Sequence, residues 1–255
     1  TAAWGFFPST QPVAGDTVYD RGTYSGGGNT DNPTVGTFGY FVMLHEVGHA
    51  LGLSHGHQSK NGYGTLPSSN NSHEYSVMTY YSYVGANTFH EPAGSFPSTL
   101  MQADIAAIQH MYGANYGTNS GDTTYTWSTS TGVMSINGVS ENSQYANKIF
   151  MTLWDGGGTD TYDLSNYSSN LTIDLRPGES STFSSDQLAW LHSNGSQIAS
   201  GNVYNALLYN NNTASLIENA TGGSGADTLI GNSSSNILTG NGGNDTLYAM
   251  AGNDT

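Results

Sequence analysis

The 255-residue chain has no cysteine, so no disulfide can brace it and no thiolate can act as nucleophile or metal ligand. Basic residues are nearly as scarce: four Lys and Arg stand against nineteen Asp and Glu, a formal net charge of −15. A surface of that sign repels nucleic acid and anionic membranes, so neither is an expected partner. No apolar run approaches the roughly 20 residues that cross a bilayer. Nor does Thr1-Ala-Ala-Trp-Gly5 place a basic stretch ahead of an apolar core, so any export must be directed by a segment outside this sequence.

What is abundant is glycine, 34 residues of it, which with many Asn, Ser and Thr reads as short strands and tight turns. Two stretches differ. Tyr40, Phe41, Leu44, Val47 and Leu51 predict a buried helix over 38–53. A second helix is predicted from an N-cap at Ser98, just after Pro97, to a glycine stop at Gly113, with Met101, Ile105, Ile108 and Tyr112 facing a core. Beyond residue 115, runs such as Leu171-Thr-Ile-Asp-Leu175 alternate like strands. From Gly222 a nine-residue repeat sets in: position six reads Asp227, Asn236, Asp245, Asp254, and position eight reads Leu229, Leu238, Leu247. The chain thus divides into 1–114, a strand-rich connection over 115–221, and the repeats of 222–255.

The chemistry concentrates in His45-Glu46-Val47-Gly48-His49-Ala50-Leu51-Gly52-Leu53-Ser54-His55. On a helix His45 and His49 share a face and can reach one metal. Gly52 can turn the chain back and deliver His55 as a third nitrogen ligand. Three protein ligands leave a fourth position to water, the arrangement of a catalytic zinc. Glu46 is then placed to take that water's proton as general base during attack on a peptide carbonyl, and to return it to the leaving amine. A lone His pair at helical spacing is more often an accident; five fixed residues in eleven are not. His57, His73, His90, His110 and His192 match no ligand spacing and are expected to be ordinary.

The repeat has its own logic. Small residues bend each turn and aim carbonyls inward, and position-six carboxylates supply charge to a hard cation such as calcium, while position-eight leucines stack into a narrow core.

The extended zinc motif resembles that of the metzincins, which place a methionine turn beneath the metal. Ser76-Val77-Met78-Thr79-Tyr80 fits, with Met78 as the floor and Tyr80 matching a tyrosine whose hydroxyl can bind zinc and swing toward the transition state. Asp104-Ile-Ala-Ala-Ile-Gln-His-Met-Tyr-Gly-Ala-Asn115, Trp154-Asp-Gly-Gly-Gly-Thr-Asp-Thr-Tyr-Asp163, Asp174-Leu-Arg-Pro-Gly178 and Ile217-Glu218-Asn219-Ala220 narrow the likeness, over nearly the whole chain, to the serralysins. That resemblance implies an α/β metzincin catalytic domain, incomplete at its N-terminus, followed by an all-β parallel β-roll. It implies a secreted zinc endopeptidase of extended proteins and peptides, acting as a monomer. It leaves room for a protein inhibitor, and export from a Gram-negative cell would use a C-terminal signal beyond this chain. It also implies calcium sites. One pairs Gly223, Gly225 and Asp227 with Gly240, Gly242 and Asp245. A second, weakened by Asn236, pairs Asn232, Ser234 and Asn236 with Ala249, Ala251 and Asp254. Earlier sites map onto Asn119 (where the family has arginine), Gly121, Thr123, Asp155, Gly157 and Asp160, and onto Gly158, Asp160, the Leu216 carbonyl and Glu218.

There are departures. Only forty-four residues precede His45, so much of the upper subdomain is expected to be missing. Residues 1–8 resemble the edge strand that pairs with substrate and 16–19 the strand before the zinc helix, while the loop over 58–74 has unfamiliar content. The competing expectation is a calcium-stabilised binding or surface-layer module with a vestigial protease site.

Overall fold

A computed structural model describes residues 3–20, 29–59 and 64–255. Thr1 and Ala2 of the expected edge strand, and residues 60–63 of the 58–74 loop, lie outside the described residues. Among the described residues two α-helices, four single-turn 3-10 helices and many three-residue strands make up the fold.

Helix α1 covers Phe38–Ala50. Thr37 caps it, its hydroxyl accepting the Tyr40 N–H at 3.4 Å, and Gly52 ends it with φ at +102°. Leu53 N–H reaches the Gly48 carbonyl and Gly52 N–H the His49 carbonyl, both at 2.9 Å, the paired bonds that a left-handed glycine permits. The helix therefore stops three residues short of the predicted Leu53, because the reversal itself uses 51–53. Ala3–Gly5 pairs antiparallel with Thr17–Tyr19 and lies so close to α1 that a side chain at Gly5 would strike the Glu46 carbonyl and His49.

Helix α2 covers Gln102–Tyr112, with its N-cap at Met101, three residues later than the predicted Ser98. Ser98 is engaged elsewhere: its N–H and hydroxyl both donate to the Phe150 carbonyl, at 2.9 and 3.1 Å. Asp104 accepts the Met101 N–H at 3.0 Å instead, and Gly113, with φ at +83°, ends the helix. Met101 is fully buried, but Tyr112 is 61% exposed, contrary to its place on the predicted core face; its hydroxyl donates to the Leu51 carbonyl at 2.9 Å.

The remainder is strand. Thr124–Trp127, Thr161–Asp163, Asn219–Thr221 and Ile237–Thr239 stack in parallel, and two antiparallel strands extend that sheet. Thr172–Asp174, Thr228–Ile230 and Thr246–Tyr248 form a second parallel sheet. Asn219 pairs with Ile237 and Thr228 with Thr246, so strands eighteen residues apart are neighbours. Two nonapeptides thus make one full turn, alternating between the sheets. Leu229 and Leu238 point inward at 0% and 7% exposure, as expected of position eight. Leu247, in the last strand of the chain, departs from that stack at 45% exposure.

Two apolar clusters form. One fills the space between the sheets around Trp127, Tyr125, Tyr162 and Ile173. The other surrounds α1 and Met78, and it recruits Phe150, Ala189, Leu191 and Tyr204 from the strand-rich region. Among the described residues no helix is long and apolar enough to cross a membrane.

Candidate metal centres

His45 and His49 extend from one face of α1, and the turn at Gly52 returns His55 to meet them. Nε2 of His55 lies 3.0 Å from Nε2 of His49 and 3.1 Å from Nε2 of His45. The opposite ring nitrogens face oxygens: Nδ1 donates to the Val77 carbonyl at 2.8 Å in His45, and to the Leu53 carbonyl at 2.7 Å in His49. In His55 it lies 3.3 Å from Gln58 Oε1. A neutral imidazole that donates from Nδ1 presents a lone pair at Nε2. Three such lone pairs converging on one point repel each other unless a cation lies among them, so the donor set fits a zinc ion. Burial drives the His45 pKa down to about 3, with the neighbouring imidazoles adding to it, which keeps the ring in its ligating form.

Glu46 is buried, and its Oε2 has no hydrogen-bond partner in the protein. Burial raises its pKa, offset in part by the Gly5 backbone N–H. With His49, His55, Tyr80, Trp4 and Phe7 it lines a cleft of about 210 Å³. Tyr80 stacks 4.7 Å from the His55 ring and 5.6 Å from His45, and burial and then the Glu46 charge raise its pKa. Met78 lies beneath, so tightly against Gly48 that no Cβ would fit there. A larger cavity of about 660 Å³ adjoins the centre at His55, between the segment carrying Leu66 and α2.

The second concentration of ligand groups lies where the sheets begin. Asp155 and Asp160 are buried, and their carboxyls interact directly. Asp155 accepts the Tyr125 hydroxyl at 2.5 Å and the Gly157 N–H at 2.7 Å. Asp160 Oδ1 accepts the Thr123 N–H at 2.8 Å, and Oδ2 has no partner. Glu218 in turn accepts the Asp160 N–H at 2.8 Å. Burial, then the charges of Asp155 and Glu218, push Asp160 up to about 7. Gly158 packs directly on Gly121, and Thr123 donates its hydroxyl to the Gly121 carbonyl at 2.7 Å and to the Asn119 carbonyl at 3.2 Å. Two buried acids and a half-buried third, with an unpartnered oxygen at Asp160, fit a hard, oxygen-seeking cation.

Residues 114–255 match the family model described as Peptidase M10 serralysin C terminal. Serralysin B of Dickeya chrysanthemi is 37% identical over 233 residues, which is 89% of this chain and 42% of that protein. Serralysin of Proteus mirabilis is 33% identical over 61% of this chain and 31% of its own length. Metallopeptidase AprA of Pseudomonas marginalis is 37% identical over 56% and 31%. The chain belongs to the serralysin family. It spans about 42% of the length of the first of these relatives.

Serralysin membership implies zinc and calcium as the cations, and the remaining implied ligands can be placed. Asp227 Oδ2 accepts the Gly223 N–H at 2.7 Å, and Asp245 Oδ1 accepts the Asp227 N–H at 2.9 Å. Gly242 N–H donates to the Gly223 carbonyl at 3.2 Å, and Gly240 lies against Asp245. Gly225 approaches Gly243, so both halves of this pair of turns come together. At the next pair Asp254 accepts the Asn236 N–H at 2.9 Å, and Ser234 N–H donates to Asn232 Oδ1 at 2.9 Å. Ala249 stacks over Gly231, while Ala251 is exposed. Asn232 and Asn236, however, direct their amide NH₂ groups at backbone carbonyls, Asn232 at Leu175 (3.0 Å) and Ile217 (2.7 Å), Asn236 at Glu218 (2.7 Å). Leu216 is buried, next to Ile217.

Two histidines expected to be ordinary are not. His57 Nδ1 accepts the Tyr80 N–H at 3.3 Å, and its ring stacks 5.2 Å from His55 and 4.5 Å from Tyr80. His73 is fully buried against Glu91. No local spacing could have marked either, since their partners are 23 and 18 residues away.

Proposed function

We propose that this chain carries the zinc site and the first roll turns of a secreted metalloendopeptidase that cleaves internal bonds of extended protein substrates. In this reading residues 1–114 belong to an α/β metzincin catalytic domain, 115–221 connect it to the roll, and 222–255 begin the calcium-binding repeats. The observation that carries it is the convergence of three imidazole Nε2 atoms beside the unpartnered Oε2 of Glu46, in an open cleft.

His45, His49 and His55 would hold zinc, which supplies a Lewis acid to polarise the scissile carbonyl and to acidify water. Glu46 holds the water through Oε2, takes its proton, and passes it to the departing amide nitrogen. Its burial raises the pKa and so makes the carboxylate a stronger base in the first of these roles. The Tyr80 hydroxyl, lining the same cleft, donates to the oxygen that gains charge at the carbonyl carbon. Trp4 and Gly5 line the cleft, so an extended peptide can pair with this strand and lay its carbonyl over the histidines. Calcium would occupy the acid-lined turns and stabilise the folded roll outside the cell, whereas in a calcium-poor cytosol the roll would stay unfolded.

The test is hydrolysis of denatured casein by the full-length protein and by Glu46→Ala, with zinc measured on both. The expected result is activity in the parent and a loss of about 10²- to 10⁴-fold in the variant with zinc retained. A zinc-loaded parent that is inactive in millimolar calcium would overturn the peptidase reading.

A further inference from the structure

The methionine turn rests on two buried acids. Asp104 accepts the Ser76 hydroxyl at 2.6 Å and the Val77 N–H at 2.8 Å, and the Val77 carbonyl in turn takes the Nδ1 proton of His45. This fixes the first half of the turn to a zinc ligand. The second half, which carries Tyr80, is held by another group.

His73 grips the chain on both sides of Tyr80. Its backbone N–H donates to the Tyr81 carbonyl at 3.0 Å, and its ring Nε2–H donates to the Thr79 carbonyl at 3.1 Å. The other ring nitrogen, Nδ1, is hydrogen-bonded to Glu91 Oε1, and both side chains are wholly shielded from solvent. Glu91 Oε2 accepts the His90 N–H at 3.1 Å, so every polar atom of the pair has a partner. The imidazole is walled by Phe41 at 4.6 Å and Phe89 at 5.7 Å, and the Phe89 ring also packs 5.3 Å from Tyr80. An ionisable pair so deep in an aromatic core contributes little net stability compared with apolar residues of the same volume. It does impose one geometry on what it bonds. Here the imidazole bonds the Thr79 carbonyl on one side of Tyr80, while the His73 backbone N–H bonds the Tyr81 carbonyl on the other.

We infer that His73 and Glu91 are a positioning pair for Tyr80, fixing its backbone so that the phenol ring stands over the imidazoles of His45 and His55. The inference rests on the peptidase reading for its kinetic consequence, though not for its structural one. The backbone of Thr79 has no other side-chain support at its carbonyl among the described residues. Without the Nε2–H donor the Thr79 carbonyl loses its anchor, the 3.3 Å bond from the Tyr80 N–H to His57 is left to hold that peptide, and the phenol shifts from its place. A displacement of that kind, remote from the reacting atoms, costs roughly tenfold to a hundredfold in rate.

The experiment compares the full-length protein with Glu91→Gln and with the double variant His73→Gln, Glu91→Gln. In the double variant the amide at position 73 can still donate to Thr79 and can pair with its neutral partner. Zinc affinity is measured by competition with a chelator, kcat and KM on a peptide substrate, and, with copper(II) in place of zinc, the visible phenolate-to-copper charge-transfer band. The expected result for Glu91→Gln is unchanged zinc affinity, a kcat lowered with KM little altered, and a weakened or shifted band. The double variant should recover most of both signals. Parental kcat and band in a Glu91→Gln protein that merely melts earlier would reduce the pair to a structural role and overturn the inference. So would zinc loss that accounts for the whole effect, or a parent without the band. If the parent binds zinc but cleaves nothing, the peptidase reading fails while the band still decides the role of the pair.

Discussion

Asp227 and Asn236 hold the same slot in successive nonapeptides and differ by the polarity of one atom. Each accepts the N–H of the residue four before it, Gly223 at 2.7 Å and Asn232 at 2.9 Å. The second oxygen of Asp227 accepts another N–H, that of Leu171 at 2.8 Å. The second atom of Asn236 is a donor and reaches the Glu218 carbonyl at 2.7 Å. One turn therefore gathers negative charge, with both Asp227 oxygens accepting backbone N–H groups and Asp245 beside it. The other closes on itself, with amide hydrogens where a cation would lie. The carboxyls of Asp155, Asp160 and Glu218 stand at the far end of that scale, with an unpartnered oxygen at Asp160. Dependence on a cation follows from which polar atoms lack partners, and the repeat alone does not reveal it.

The largest effect should come from breaking the self-closed turn. Asn232 is buried and donates to two carbonyls from separate segments, Leu175 and Ile217. Asn232→Ala leaves both without partners and should cost about 2–4 kcal/mol. Urea unfolding should show that loss equally in calcium and in chelator. A loss confined to chelator would mean that this turn uses a cation after all.

Asn236→Asp tries to convert one kind of turn into the other. In chelator the new carboxylate faces the Glu218 carbonyl and should destabilise the protein by about 1–3 kcal/mol. Millimolar calcium should restore most of that, and the gain from calcium should exceed the parent's. Acidity probes the opposite end of the scale. The folded pKa of Asp160 is raised to about 7, well above the ordinary carboxylate range near 4. Between those values the folded state holds the proton longer than the unfolded chain. In chelator, stability should therefore be greatest below about pH 4 as far as Asp160 is concerned, and should fall as pH rises through 7. With calcium bound the carboxylate is the favoured form and the slope should reverse. A calcium-free melting temperature that climbs over this range would refute the assignment.

Sequence made some of this legible and hid the rest for physical reasons. His45, Glu46, His49 and His55 are local, within one helix and its terminating turn, so spacing alone predicts how their side chains converge. The eighteen-residue turn of the roll is likewise visible as two nine-residue phases. The donor role of Asn232 was hidden because an amide can present either its oxygen or its NH₂, and only its partners, the Leu175 and Ile217 carbonyls, decide which. Helix α2 starts late because Ser98 is claimed by Phe150, more than fifty residues on. His73 escaped notice because its meaning depends on Glu91 and on carbonyls either side of Tyr80, none of them at a regular spacing.

The smallest effect concerns a third way to neutralise a buried acid. Asp174 lies on a roll strand and is bonded by Arg176, whose Nε and Nη2 reach its two oxygens at 3.0 and 2.6 Å. The arginine side chain is 40% exposed while that of Asp174 is 7% exposed, so solvent screens much of the attraction. Arg176→Ala should cost only about 1 kcal/mol. Arg176→Lys should recover less than half of it, because a point charge cannot engage both oxygens at once. Both variants should lose the same amount in calcium and in chelator, since the arginine supplies the positive charge that other turns draw from solution. A calcium-dependent loss would place Asp174 among the cation-binding acids and dissolve the distinction between acids satisfied from within and acids satisfied from without.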